Sequence, residues 1–203
     1  MDPRKKKKEQ TRQRLLEVTA QALASGRSFD TLSLREVAKL AEIPPTSFYR
    51  HFHDLDALGL ALIEEHRKAL VSLMEDVRGQ FANGESLIRA SVEAVFEFIS
   101  DNQGVSRMTV QESMSPGSAF REASESVFLT MASDLADFLE KDAEQRQVPI
   151  AYPKLAANAM LSIMFTTGIT LLNSPEVDRE RQINAAVIKV RMIMHGAETL
   201  GAR

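Results

Sequence analysis

Two adjacent prolines, Pro44 and Pro45, constrain the architecture of this chain more than any other feature of its sequence. A proline disfavours helical backbone for the residue before it, yet its own fixed φ suits the first turn of a new helix. One helix must therefore end before residue 44 and another begin at residue 45. Upstream, Ser33-Leu34-Arg35-Glu36 has capping-box spacing, in which the serine oxygen and the glutamate side chain each satisfy a backbone N–H left open at a helix start. The helix opened there carries Leu34, Val37, Ala38 and Ala41 on its apolar face. The prediction is two short helices joined by a tight turn, the second running from Pro45 to His51.

The remaining punctuation predicts helices throughout. Segments rich in Ala, Leu, Glu, Lys and Met show 3.6-residue periodicity, while strand-like alternation bounded by hairpin turns is absent. An all-α fold follows. A first helix spans Lys6 to Ala24, with Leu15, Val18, Ala22 and Leu23 as its stripe and Ser25-Gly26 as its end. Asp54 caps a long helix from Leu55 to Phe81. Asn83-Gly84, Asn102-Gln103-Gly104, Ser115-Pro116-Gly117, the 148–153 segment and Asn173-Ser174-Pro175 separate five more helices, near 86–101, 103–114, 118–146, 153–172 and 176–199. The expected division is an N-terminal domain over 1–53 and a larger C-terminal domain over 54–203.

Charge divides the same way. Residues 1–52 carry eleven Lys and Arg against six Asp and Glu, leaving fourteen against twenty-two in the rest of a 203-residue chain of net charge -3. A basic front and an acidic body suit a protein that touches a polyanion with one end only, although a solubilising basic tail has the same composition. The chain has no cysteine, which excludes thiolate catalysis and Cys-based zinc sites. None of His51, His53, His66 and His195 has a glutamate three residues earlier, as a bundle metal site requires, and no nucleophile elbow, phosphate loop or dinucleotide fingerprint appears. No catalytic residue, metal ligand or cofactor is therefore predicted. No stretch approaches about 20 uninterrupted apolar residues, and no apolar run follows the N-terminal charges. The expectation is a cytoplasmic protein that does not span a membrane.

Two short helices at a tight turn match what docking in a DNA major groove requires. Phe48 and Phe52 are four residues apart, so they share one face and bury it against Val37, Ala38 and Ile43. Thr46, Ser47, Tyr49, Arg50 and His51 remain for phosphate oxygens. Arg35, with Thr46 and Ser47, is placed to meet base edges, and Ser33 stands at the start of the same helix. Lys5, Lys6, Lys7 and Lys8, in the run from Arg4, add salt-sensitive affinity along the backbone or in a neighbouring minor groove. Exposed cations on a short helix are equally compatible with plain solvation.

The run Leu32-Ser33-Leu34-Arg35-Glu36-Val37-Ala38, followed by Thr46-Ser47-Phe48-Tyr49-Arg50-His51-Phe52, resembles the signature of the TetR family of bacterial repressors. The resemblance implies a three-helix DNA-binding domain, a larger helical ligand-binding domain, and a homodimer, formed through the last two helices, on a roughly palindromic double-stranded operator. Pro45 to Phe52, Leu58-Gly59-Leu60, Ile88-Arg89-Ala90-Ser91-Val92, Glu97-Phe98-Ile99, Ser118-Ala119-Phe120-Arg121 and Arg191-Met192-Ile193 look like the branch that represses unsaturated fatty acid synthesis and senses acyl-CoA or acyl carrier protein thioesters. Two departures stand out. Glu42 occupies a turn position where many members have glycine, at a cost of about 1 kcal/mol if the backbone there is left-handed. Leu55 replaces a phosphate-binding lysine.

On that resemblance, a lipophilic effector, a long-chain acyl-CoA, would lie among Phe96, Ile99, Phe120, Met131, Met164 and Phe165, with Arg89, Arg107 and Arg121 for its phosphates. Ordinary core packing explains the same apolar residues, and solvation the same cations. Binding would shift the long fourth helix and so the recognition helices. Ala156, Ala157, Leu161 and Gly168, with Ile183, Val187, Val190, Met194 and Ala197, suit a two-fold helical interface or packing within one chain. The alternative within the same fold is a repressor of an efflux or stress operon that answers another lipophilic molecule.

Overall fold

A computed structural model describes residues 3–80, 85–113, 119–172 and 178–202. Every regular element among them is helical: α1 Pro3–Ala24, a 3-10 turn Phe29–Thr31, α2 Leu34–Leu40, α3 Pro45–Phe48, α4 Leu55–Gln80, α5 Glu85–Asp101, α6 Gln103–Ser113, α7 Ala119–Arg146, α8 Pro153–Leu171 and α9 Arg179–Gly201. The expected turns Asn83-Gly84, Ser115-Pro116-Gly117 and Asn173-Ser174-Pro175 lie outside the described residues, as do Phe81, Met114, Ser118, Glu176 and Val177, at expected helix ends.

The chain forms two compact units, 1–67 with 102–125 and 68–101 with 126–203, so the boundaries fall inside α4 and α7. In the first unit α1 packs on α2 and α6, and α2 on α3. Its core includes Leu15, Leu16, Leu23, Val37, Phe48 and Leu58. Gly104 is required where α6 crosses α1, because a Cβ there would run into the Leu23–Ala24 backbone. In the second unit α8 packs on α9, and α5 on both. Val92, Phe96, Ile99, Ala157, Met160, Ala186 and Val187 lie in its core.

Helix ends explain much of the local agreement. Gly26 takes φ +92, and its N–H reaches the Leu23 carbonyl at 3.0 Å while the Arg27 N–H reaches Ala22 at 3.3 Å. Those two bonds are a Schellman closure. The same pair closes α2, from Glu42 to Lys39 at 3.1 Å and from Ile43 to Ala38 at 3.0 Å, with Glu42 at φ 58. α7 ends likewise on Gln147 at φ 54. Neither Gln147 nor Tyr152, at φ 53, carries a sequence signal for this geometry.

α8 is long and apolar enough, by composition, to cross a membrane. Asn158 donates to the Lys154 carbonyl at 2.9 Å, and Ser162 to that of Asn158 at 2.8 Å, within the helix. Ala156, Ala157, Met160, Leu161, Met164 and Gly168 are buried, and the helix packs against α5 and α9.

Candidate nucleic-acid interface and apolar cavity

The helix-turn-helix is built from its caps inward. Ser33 Oγ accepts the Glu36 N–H at 3.3 Å, which is half of the expected capping box. The Glu36 carboxylate instead takes the Arg27 guanidinium at 2.7 Å. That interaction holds Glu36 below the ordinary carboxylate range, chiefly through the hydrogen bond itself. It also ties α2 to the segment after α1. Pro45 starts α3 as expected, but the helix ends at Phe48, and residues 49–51 continue as turns. His51 N–H and Phe52 N–H still reach the Phe48 carbonyl, at 2.8 and 3.1 Å.

Phe48 is fully buried and Phe52 is 6% exposed, with ring centroids 5.9 Å apart. The Arg12 guanidinium of α1 lies 5.3 Å over the Phe52 ring. Burial of this face turns the other outward: Thr46, Tyr49 and Arg50 are exposed, Ser47 is half-buried, and Arg35 is exposed on α2. Ser33 is also exposed. Capping uses an acceptor lone pair of its hydroxyl and leaves the O–H free to donate.

His51, expected to reach phosphate oxygens, is half-buried. Burial pushes its imidazole below the usual histidine range, and Lys8, Arg12 and Arg50 push it further, opposed by Glu9. Its Nδ1 is enclosed with no hydrogen-bond partner among the described residues. Lys8 and Arg12 of α1 and Arg50, just after α3, thus act on the same locality.

Lys5, Lys6, Lys7 and Lys8 are exposed and lie within α1, not on an extended arm. A helix of about 10–12 Å diameter does not fit a minor groove about 6 Å wide, which weighs against the minor-groove alternative. Asp54 caps α4 by accepting the Ala57 N–H at 2.7 Å. Leu55 beside it is half-buried and offers no side-chain donor.

The second unit has a partly open cavity of about 450 Å³. Leu70, Val71 and Met74 of α4, Ile88, Val92 and Val95 of α5, Met131, Leu135 and Phe138 of α7, Met160, Met164 and Phe165 of α8, and Val190 and Met194 of α9 form most of its wall. Polar groups interrupt it at Arg78, Ser91, Asp134, Asp142, Arg146, Arg191, His195 and Glu198. Arg146 Nε donates to Asp142 Oδ2 at 2.7 Å and Nη2 to Glu198 Oε1 at 2.8 Å. These bonds, Glu198 first, hold the guanidinium above its ordinary value. Asp142 Oδ1 is buried without a hydrogen-bond partner among the described residues.

Met131, Met164 and Phe165 thus face the cavity, whereas the other residues expected there do not line it. Phe96 and Ile99 are core, 2% and 1% exposed. Phe120 sits edge-on to Phe29, centroids 5.4 Å apart, in the first unit, which also holds Arg107 and Arg121. Arg89 is engaged with Glu93 at 2.9 Å and with Asn184, joining α5 to α9.

The residues expected at a two-fold interface are also spoken for. Ala156, Ala157, Leu161, Ile183, Val187, Val190 and Ala197 are buried within their own chain. Leu155, Ile188 and Met192 are 68%, 56% and 69% exposed instead. Ile188 and Met192 are one turn apart, a second stripe that the sequence pattern shows once α8 and α9 are known to consume the first.

Fold and site together define an all-α chain with a helix-turn-helix in one unit and an apolar cavity in the other. No family model matches the chain. Solved structures share its fold. A transcriptional regulator from Rhodococcus sp. aligns at TM-score 0.74 and 20% identity, over 92% of this chain and 97% of its own. A TetR-family transcriptional regulator from Streptomyces coelicolor aligns at 0.73 and 16%, over 94% and 97%. The fatty acid degradation regulator FadR from Bacillus halodurans aligns at 0.68 and 14%, over 91% and 94%. The chain has the TetR-like fold.

Proposed function

We propose that this protein is a dimeric DNA-binding transcriptional repressor whose hold on a roughly palindromic operator is modulated by a lipophilic effector in the cavity of the second unit. The observation that carries the reading is the two-sided recognition segment, with Phe48 and Phe52 buried and Arg35, Thr46, Tyr49 and Arg50 exposed beside a cationic α1. Residues 1–53 bind DNA in this reading, and residues 54–203 bind the effector and dimerise. A second copy covers the Leu155, Ile188 and Met192 face.

The regulated genes, in this proposal, serve unsaturated fatty acid synthesis, and the effector is an acyl-CoA or acyl carrier protein thioester. The sequence resemblance, the predominantly apolar cavity wall and the fatty acid regulator of like fold support it. α4 begins at Leu55, just after the recognition segment, and its Leu70, Val71, Met74 and Arg78 line the cavity. Displacement of this helix by the effector is the proposed route to DNA.

Selection of duplexes from a random DNA pool by the full chain, repeated with saturated and unsaturated acyl-CoAs, tests both halves. A palindromic consensus whose affinity changes with acyl-CoA is expected. Absence of any consensus sinks the DNA reading. A consensus indifferent to both acyl-CoAs sinks the effector and leaves a repressor of an efflux or stress operon.

A further inference from the structure

The wall of the cavity carries a guanidinium stacked on an aromatic ring. Arg78, in the last turn of α4, is half-buried, and its guanidinium lies 4.4 Å over the Phe138 ring. It has no hydrogen bond or ion pair among the described residues. Asp134 and Glu75 act on it only at longer range, and burial presses it below its ordinary value against them. A guanidinium stays charged in proteins and presents five donors in a planar fork. Those donors are therefore available to an acceptor that enters the cavity.

The other charges of the wall are differently placed. Arg146 is held by ion pairs to Asp142 and Glu198, and Arg191 has its Nε buried. Stacking on Phe138 fixes the plane of Arg78 while leaving the edge of the fork for an acceptor. Beside it stand Leu135, Met74 and Phe138, which suit a hydrocarbon chain.

Resting on the reading of this cavity as the effector site, we propose that the effector is an anionic amphiphile and that Arg78 takes its carboxylate or phosphate while the tail fills the apolar wall. The two sources of that anion, a free fatty carboxylate and the phosphates of a coenzyme A thioester, are separable by experiment.

The test is calorimetric titration of the full-length protein with dodecanoate, dodecyl phosphate, dodecanoyl-CoA, dodecanol and dodecyltrimethylammonium below their micellar concentrations. It is repeated on Arg78→Met, which keeps a side chain able to pack on Phe138, and on Arg78→Lys, which keeps the charge. Thermal melts confirm that each variant is folded.

The expected result is that at least one anion binds the unaltered protein about tenfold or more tighter than dodecanol, a difference of about 1.4 kcal/mol. Arg78→Met removes that advantage without weakening dodecanol, and Arg78→Lys restores part of it. An advantage confined to dodecanoate assigns the carboxylate; one confined to dodecanoyl-CoA assigns the thioester's phosphates. Equal binding of all tails, preference for the cation, or an anion advantage that survives Arg78→Met overturns the inference while leaving the cavity as a lipophile site. If none of the five binds, the inference falls with the effector reading on which it rests.

Discussion

His66 makes acid stability a test of how the first unit is built. It lies on α4, and its Nε2 is 3.3 Å from Oγ of Ser106 on α6, a serine only 5% exposed. Burial lowers the imidazole pKa from 6.5 to about 4. The unfolded chain therefore takes up this proton near pH 6.5, and the folded chain only near pH 4. Between those values the unfolded state binds more protons, so stability falls as the pH falls. The contribution is fully present above the unfolded pKa, and its loss across the window approaches about 3 kcal/mol at about 1.4 kcal/mol per pH unit. The comparison is with His66→Gln, which cannot titrate but retains hydrogen-bonding capacity toward Ser106. Urea unfolding of both chains from pH 8 to pH 4 cancels the carboxylates common to them. The stability of the unaltered protein relative to the variant should drop by about 3 kcal/mol between pH 7 and pH 4. A difference that stays flat across that window, or a His66 NMR titration near pH 6.5, refutes the reasoning.

Glu42→Gly relieves a left-handed side-chain penalty partly offset by glycine's greater unfolded freedom, so a gain of about 0.5–1 kcal/mol is expected in denaturant melts; a loss would show that the turn is held by something other than its backbone. The double variant Ile188→Asp, Met192→Asp should shift the sedimentation of the protein from dimer to monomer, while Leu161→Ala should cost about 2–5 kcal/mol of stability without altering assembly. Replacing Lys5, Lys6, Lys7 and Lys8 by Ala should weaken binding to every duplex and flatten the dependence of log affinity on log salt by up to about 3–4 per protomer. An unchanged slope in filter or anisotropy titrations would mean that these lysines do not touch phosphate.

Element ends were legible because their signals are local. Pro45, Ser33, Gly26 and Asp54 act within a few residues of themselves, and each stands where its chemistry places it. The left-handed Gln147 and Tyr152 were not legible, since glutamine and tyrosine carry no turn signal and their geometry is imposed by packing around the α7–α8 connection, where Ala151 N–H meets the Ala197 carbonyl at 2.9 Å. Glu36 shows the same limit: its spacing selects a capping box, but Arg27, nine residues back in sequence, competes for the carboxylate and wins. The apolar cavity required knowing which stripe of five helices turns inward. Periodicity identifies a stripe but not its partner, so Phe96 and Phe120 could not be told from Met131 and Phe165. For the same reason Arg89, chosen by position, proved to be engaged with α9, and Arg78 went unnoticed behind the long apolar run of α4.

The central claim is that the face carrying Arg35 reads DNA sequence. The most direct measurement is the affinity of the full chain for its selected operator divided by its affinity for a scrambled duplex, at fixed salt, with and without Arg35→Ala. The account predicts a ratio of at least about 10³ for the unaltered protein. Arg35→Ala should cut it by about 1–3 kcal/mol, roughly 5- to 150-fold, for each half-site, by relaxing preference at one base position in each. Equal affinity for the two duplexes, or a ratio that Arg35→Ala leaves intact, would contradict it.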